Sequence, residues 1–130
     1  MILHPHPQGG GTMNNRIVQS LYQTFVRRGF ATLRFNFRGV GQSEGGWDEG
    51  RGETADLLTV IAHATALHPG LPLWLAGFSF GAYVVTRVAA RIAAAGAPAR
   101  RLVLVGTAAG YVEGARSYQT QAVAVDTIVI

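Results

Sequence analysis

Ser79 sits between two glycines, in Gly77-Phe78-Ser79-Phe80-Gly81, and that spacing suits one kind of chemistry. The pentapeptide follows an apolar run at 71–76 and opens an Ala/Val-rich stretch, 82–95, of helical character. A strand that turns sharply into a helix at Ser79 lifts the hydroxyl into the open above the strand's carboxyl end. So tight a turn crowds the backbone on both sides, and residues without a Cβ relieve the crowding. The helix that follows aims free backbone N–H groups, that of Phe80 first, at whatever lies beside the hydroxyl. This is the equipment for nucleophilic attack on a carbonyl. The competing reading of Ser79 is an ordinary helix N-cap, a position that serine favours in any case. A serine hydroxyl without a base to take its proton is also a weak nucleophile at neutral pH.

The four histidines offer candidates for that base. His4 and His6 lie in a Pro/Gly-rich loop, 4–12, that the strand order brings next to Ser79. Their spacing also suits a metal pair, but no third ligand follows at a recognisable distance, and no metal site is expected. His63 and His68 fall on the second expected helix and its end, facing solvent or the sheet. Asp48, Glu53 and Asp56 cluster at the start of that helix, where they oppose its positive N-terminal dipole. Gly39, Gly41 and Gly45 miss the spacing of a dinucleotide-binding loop because Glu44 stands where the third glycine belongs. Gly9–Thr12 lacks the lysine of a phosphate loop, so no cofactor is expected. Trp47 and Phe80 are aromatic residues able to line an acyl pocket, though such residues fill cores more often.

The elements that must hold these residues alternate. Strands are expected at 1–3, 30–37, 71–76, 101–105 and 126–130. Helices are expected from an Asn14 cap to Gly29, at 53–68 and at 82–95, with 107–123 as loop or weak helix. This order predicts an α/β fold with a mostly parallel sheet of about five strands and three helices on both faces. Continuous apolar strands such as Leu102-Val103-Leu104-Val105 fit burial on both sides. With 130 residues the chain reads as a single domain, 1–130, and its two ends, each an apolar strand, look like those of a piece of something longer.

Composition narrows the class further. With 48% hydrophobic and 14% charged residues the chain is not disordered. Its net charge of +4 comes from 11 arginines and no lysine, dispersed and without interleaved aromatic residues, so nucleic acid is not an expected partner. No apolar run is long enough for a membrane span, and the absence of cysteine suits the cytoplasm.

With the serine in its turn, the chain resembles the α/β-hydrolase family, and more narrowly small bacterial hydrolases of the dienelactone-hydrolase-like type. The segments His4-Pro5-His6-Pro7…Gly10-Gly11-Thr12-Met13-Asn14-Asn15, Arg34-Phe35-Asn36-Phe37-Arg38-Gly39-Val40-Gly41-Gln42-Ser43 and Gly77–Gly81 carry the likeness, in order. The resemblance implies that Ser79 is the nucleophile of a serine hydrolase acting on an ester or similar acyl bond of a small molecule. It implies an oxyanion hole of the Phe80 N–H and one from the first strand–helix loop. Pro5 and Pro7 have no N–H to give there, which leaves His6 through its main chain. The 38–43 turn resembles the loop bordering the active-site mouth. Family members place the acid after a later strand and the histidine near the C-terminus, so both are expected beyond Ile130. Glu113 is the acid candidate within the chain. On this reading residues 1–130 alone hydrolyse little. The alternative is a non-catalytic module that keeps a hydrolase-like core and binds a small ligand. The sequence is silent on oligomeric state.

Overall fold

A computed structural model describes residues 1–112 and 116–130, and its main sheet is built from short strands. β1 (Ile2–Leu3), β2 (Trp74–Phe78), β3 (Arg101–Val105) and β6 (Thr127–Val129) make one four-stranded sheet in that spatial order, every pairing parallel. Register is set by which side each residue must face. Leu75 lies beside Leu102 and Ala76 beside Val103, so alternate residues reach opposite faces. Leu3, Leu75, Leu102 and Leu104 belong to one core; Ile2, Ala76 and Val103 belong to another. β4 (Gly110–Val112) and β5 (Arg116–Tyr118) form a separate antiparallel pair.

Three helices cover the two faces, as expected. α1 (Arg16–Arg27) packs Val18, Leu21, Tyr22 and Phe25 on the second core. Its N-cap is Asn15, whose side chain accepts from the N–H groups of Ile17 (2.9 Å) and Val18 (3.4 Å), one residue later than the expected Asn14. α2 (Arg51–Leu67) and α3 (Phe80–Ala94) cover the first core. α3 is the most deeply buried, with Ala82, Val84, Val85, Val88 and Ala89 at 1% exposure or less. A buried valine of this kind stabilises by about 1.5–3 kcal/mol, so α3 anchors the face that carries the turn at Ser79.

Two expected elements differ. Residues 30–37 run extended but make a single bridge, Arg34 with Ile2, rather than a strand. The Ile2 N–H donates to the Leu33 carbonyl (2.9 Å), and β1 is too short to continue the ladder. Within the stretch expected as loop or weak helix, 107–123, residues Gly110–Val112 and Arg116–Tyr118 form the β4–β5 pair, while 107–109 and 119–123 are loop as expected. Its anchor is Tyr118, which packs edge-on against Phe80 and Tyr83 with ring centroids 6.0 and 5.0 Å apart.

Candidate active site

Ser79 holds the junction of β2 and α3 in a conformation that few side chains tolerate. Its φ of 54° and ψ of −114° lie outside the regions open to residues with a Cβ. Three backbone hydrogen bonds fix it there. The Ser79 N–H donates to the Val105 carbonyl (2.9 Å), and the Ser79 carbonyl accepts from Ala108 and Tyr83 (each 3.2 Å). Its side chain makes no capping bond to α3, although serine is a favoured cap, so the N-cap role is not what the hydroxyl performs.

The two flanking glycines are explained by contact. A Cβ on Gly77 would stand 2.5 Å from the Ala82 nitrogen, and one on Gly81 2.5 Å from the Leu3 carbonyl oxygen. Both obstacles are backbone and cannot swing aside. Gly81 therefore lets the first turn of α3 lie directly against β1 and the loop beyond it. That loop is curled as tightly: the His6 carbonyl accepts from Gly9 (3.1 Å) and Gly11 (3.0 Å), and a Cβ on Gly11 would meet the Pro5 oxygen at 2.2 Å. The half-buried Ser79 thus faces the carboxyl edge of the sheet, beside the positive end of α3 and the His6 loop.

The structure separates the two histidines expected near Ser79. His4 is fully buried and both ring nitrogens are engaged: Nδ1 bonds the Pro5 carbonyl (2.7 Å), and Nε2 accepts from the Phe37 N–H (2.9 Å). Burial pushes its pKa below the usual histidine value, with the Pro5 bond acting weakly the other way. A neutral imidazole tied at both ends is a strut between two loops and not a base. His6 accepts from the Gln8 N–H through Nδ1 (3.1 Å), and its ring lies 5.3 Å from Phe80 and 4.9 Å from Trp47. Phe80, only 1% exposed, is a core residue touching Phe37, Tyr83 and Tyr118; of the two aromatic residues considered for a pocket wall, Trp47 alone is partly open. His63 and His68 are exposed and line a cavity of about 710 Å³ at the amino edge of the sheet, with Phe25, Phe30 and Trp74. That cavity is at the opposite end from Ser79.

The acids also divide. Glu53 and Asp48 cap α2, accepting from Gly50 (3.1 Å) and Gly52 (3.0 Å) respectively. Asp56, expected to share that role, instead takes a bidentate pair from Arg38, at 2.7 Å from both Nε and Nη2. That bond raises the Arg38 pKa further above its already high value. Asp126 pairs with Arg101 near the start of the last strand, away from the carboxyl edge where Ser79 lies. Glu113 lies outside the described residues. Among the described residues no group of histidines and acids is placed to hold a metal ion, and no helix is long and apolar enough to cross a membrane.

A parallel sheet with helices on both faces and a strained serine between two glycines at a strand–helix turn define the α/β-hydrolase class. The chain matches the family described as serine aminopeptidase, S33, over residues 8–127, and it belongs to that α/β-hydrolase family. A solved α/β serine hydrolase from Xanthomonas campestris, described as lacking a lid, superposes with a TM-score of 0.83 at 37% identity, covering 98% of this chain and 55% of that one. An uncharacterized protein of Rickettsia prowazekii is 40% identical over 92 residues, 70% of this chain and 39% of its own length. A lysophosphatidylserine lipase of Danio rerio is 31% identical over 118 residues, 91% of this chain and 30% of its own length. The chain therefore spans well under half the length of these two curated relatives. None of the three is described as a dienelactone hydrolase.

Proposed function

We propose that Ser79 is the nucleophile of a serine hydrolase that cleaves ester or related acyl bonds in small molecules. Residues 1–130 are the part of an α/β-hydrolase domain that carries the nucleophile and the oxyanion hole. The Phe80 N–H, at the free end of α3, and the His6 N–H, in the loop after β1, receive the charge that develops on the substrate oxygen. The observation that carries the reading is the Ser79 backbone: strain of about 1–3 kcal/mol is held at a serine whose hydroxyl does nothing for its own helix. A lipase and a serine-peptidase family among the relatives support acyl transfer as the reaction type. The lack of cysteine fits a cytoplasmic setting.

Labelling of the full-length protein with a fluorophosphonate probe tests it. An activated serine is phosphonylated, with loss of fluoride, and Ser79→Ala abolishes the adduct. A protein that binds small ligands but takes no label at Ser79 is instead the non-catalytic module.

A further inference from the structure

Residues 38–52 contain six glycines, yet Trp47 in their midst packs against the candidate site. Its ring lies 4.9 Å from His6 and 6.5 Å from Phe80, the two residues whose N–H groups serve the proposed oxyanion hole. The indole does not anchor itself, since its buried Nε1 has no hydrogen-bond partner among the described residues. What fixes it is the backbone of the next residue. The Asp48 N–H donates to both carboxylate oxygens of Glu53 (3.0 Å each), and the Gly50 N–H donates to Oε1 (3.1 Å).

We propose that Glu53 is a positioning residue for the Ser79 site and that it acts through Trp47. The proposal rests on Ser79 being the nucleophile. Helix capping alone does not account for Glu53. A cap is served by the Gly50 bond, and an exposed Asp or Ser at the helix start does that work without burying a charge. Glu53 is 0% exposed, and among the described residues no cation lies within ion-pair distance of it. Removing a carboxylate from water is costly unless its oxygens are filled. Here they are filled by reaching past the helix, back to Asp48. The neighbouring contacts close the same clamp. A Cβ on Gly50 would stand 2.8 Å from the Tyr83 ring, and one on Gly52 2.1 Å from the Arg38 guanidinium, which is itself held by Asp56. Loop, α2 and α3 thus meet closely beside Trp47, whose ring packs tilted against His6.

Two variants separate positioning from capping. Glu53→Gln keeps the size but supplies one acceptor and sets an amide N–H₂ against a backbone N–H. Glu53→Asp keeps the charge at the helix start but withdraws it from Asp48, and it serves if the first variant does not fold. In a Trp74→Phe background, where Trp47 is the sole indole, both variants should shift its emission to longer wavelength and increase acrylamide quenching. Fluorophosphonate labelling of Ser79 should slow about tenfold or more, since small displacements of site groups have effects of that size. Trp47→Ala should slow labelling comparably, and adding Glu53→Gln to it should slow it no further. Unchanged labelling with a freed Trp47, or effects of the two changes that multiply, overturns the proposal. A parent protein that takes no label fails at the Ser79 assignment itself, which is seen before any Glu53 variant is made.

Discussion

Replacing Ser79 by glycine should make the protein more stable, and the size of the gain follows from the backbone at that residue. A side chain at φ 54° and ψ −114° costs about 1–3 kcal/mol, which a residue without a Cβ does not bear. Against this, glycine loses about 0.5–1 kcal/mol through the greater freedom of its unfolded chain. The reference is Ser79→Ala, which keeps the Cβ and the strain. Since the hydroxyl caps nothing, Ser79→Ala should lie within about 0.5 kcal/mol of the parent. Ser79→Gly should then exceed Ser79→Ala by about 1 kcal/mol. For 130 residues the unfolding entropy near the midpoint makes that about 4 °C in Tm. Thermal melts followed by circular dichroism, with urea midpoints as a second measure, read the difference. Ala90→Gly in the middle of α3 is the control and should lose about 1 kcal/mol, the ordinary helical penalty. A Ser79→Gly protein that melts at or below Ser79→Ala would refute the presence of strain at Ser79.

Three other outcomes follow from contacts already described. Gly81→Ala drives a Cβ into β1 backbone and should lose about 1–3 kcal/mol with slower Ser79 labelling, whereas Gly46→Ala, with open space around it, should be neutral in both. His4 has a folded pKa below its unfolded value near 6.5, so the unfolded chain binds the extra proton first. Stability should therefore fall as pH drops below about 6.5 and level off once the folded pKa is passed. His4→Gln should lose less Tm than the parent between about pH 7.5 and 5, and equal losses would contradict the assignment. Arg38→Lys and Asp56→Asn should each cost about 1 kcal/mol, and the double variant little more than either alone, in urea midpoints.

Much of the site was legible because its signals are local. Gly77, Ser79 and Gly81 fall within five residues, and the same tight turn dictates all three. The 3.6-residue spacing of Val18, Leu21, Tyr22 and Phe25 marks α1 in the same way. What escaped depends on partners distant in the chain. Residues 30–37 have strand composition, but a ladder needs a neighbour, and β1 supplies Ile2 for a single bridge. Tyr118 lies in an unremarkable polar stretch, and only its docking on Phe80 and Tyr83 reveals a pair of strands. Asp56 has the charge of a helix cap, yet Arg38, eighteen positions away, claims it. Glu53 was legible as an acid at a helix start, while its reach back to Asp48 was not.

The parallel pairing of β1 with β2 bears on the order in which this molecule is made. Ile2 meets Ala76 and Leu3 meets Gly77, so the two strands beneath the serine close a loop of more than seventy residues. Closing it costs about 4 kcal/mol of chain entropy, recovered only when the strands and their helices pack together. Gly81 fits against Leu3 and His4 only after that closure, and the His6 loop acquires its place at the same moment. The turn at Ser79 therefore depends on contacts distant in the chain, unlike α1, whose spacing is local. A partly folded or newly synthesised chain lacks the backbone geometry that sets Ser79 apart, and that geometry is complete only when β1 has paired with β2.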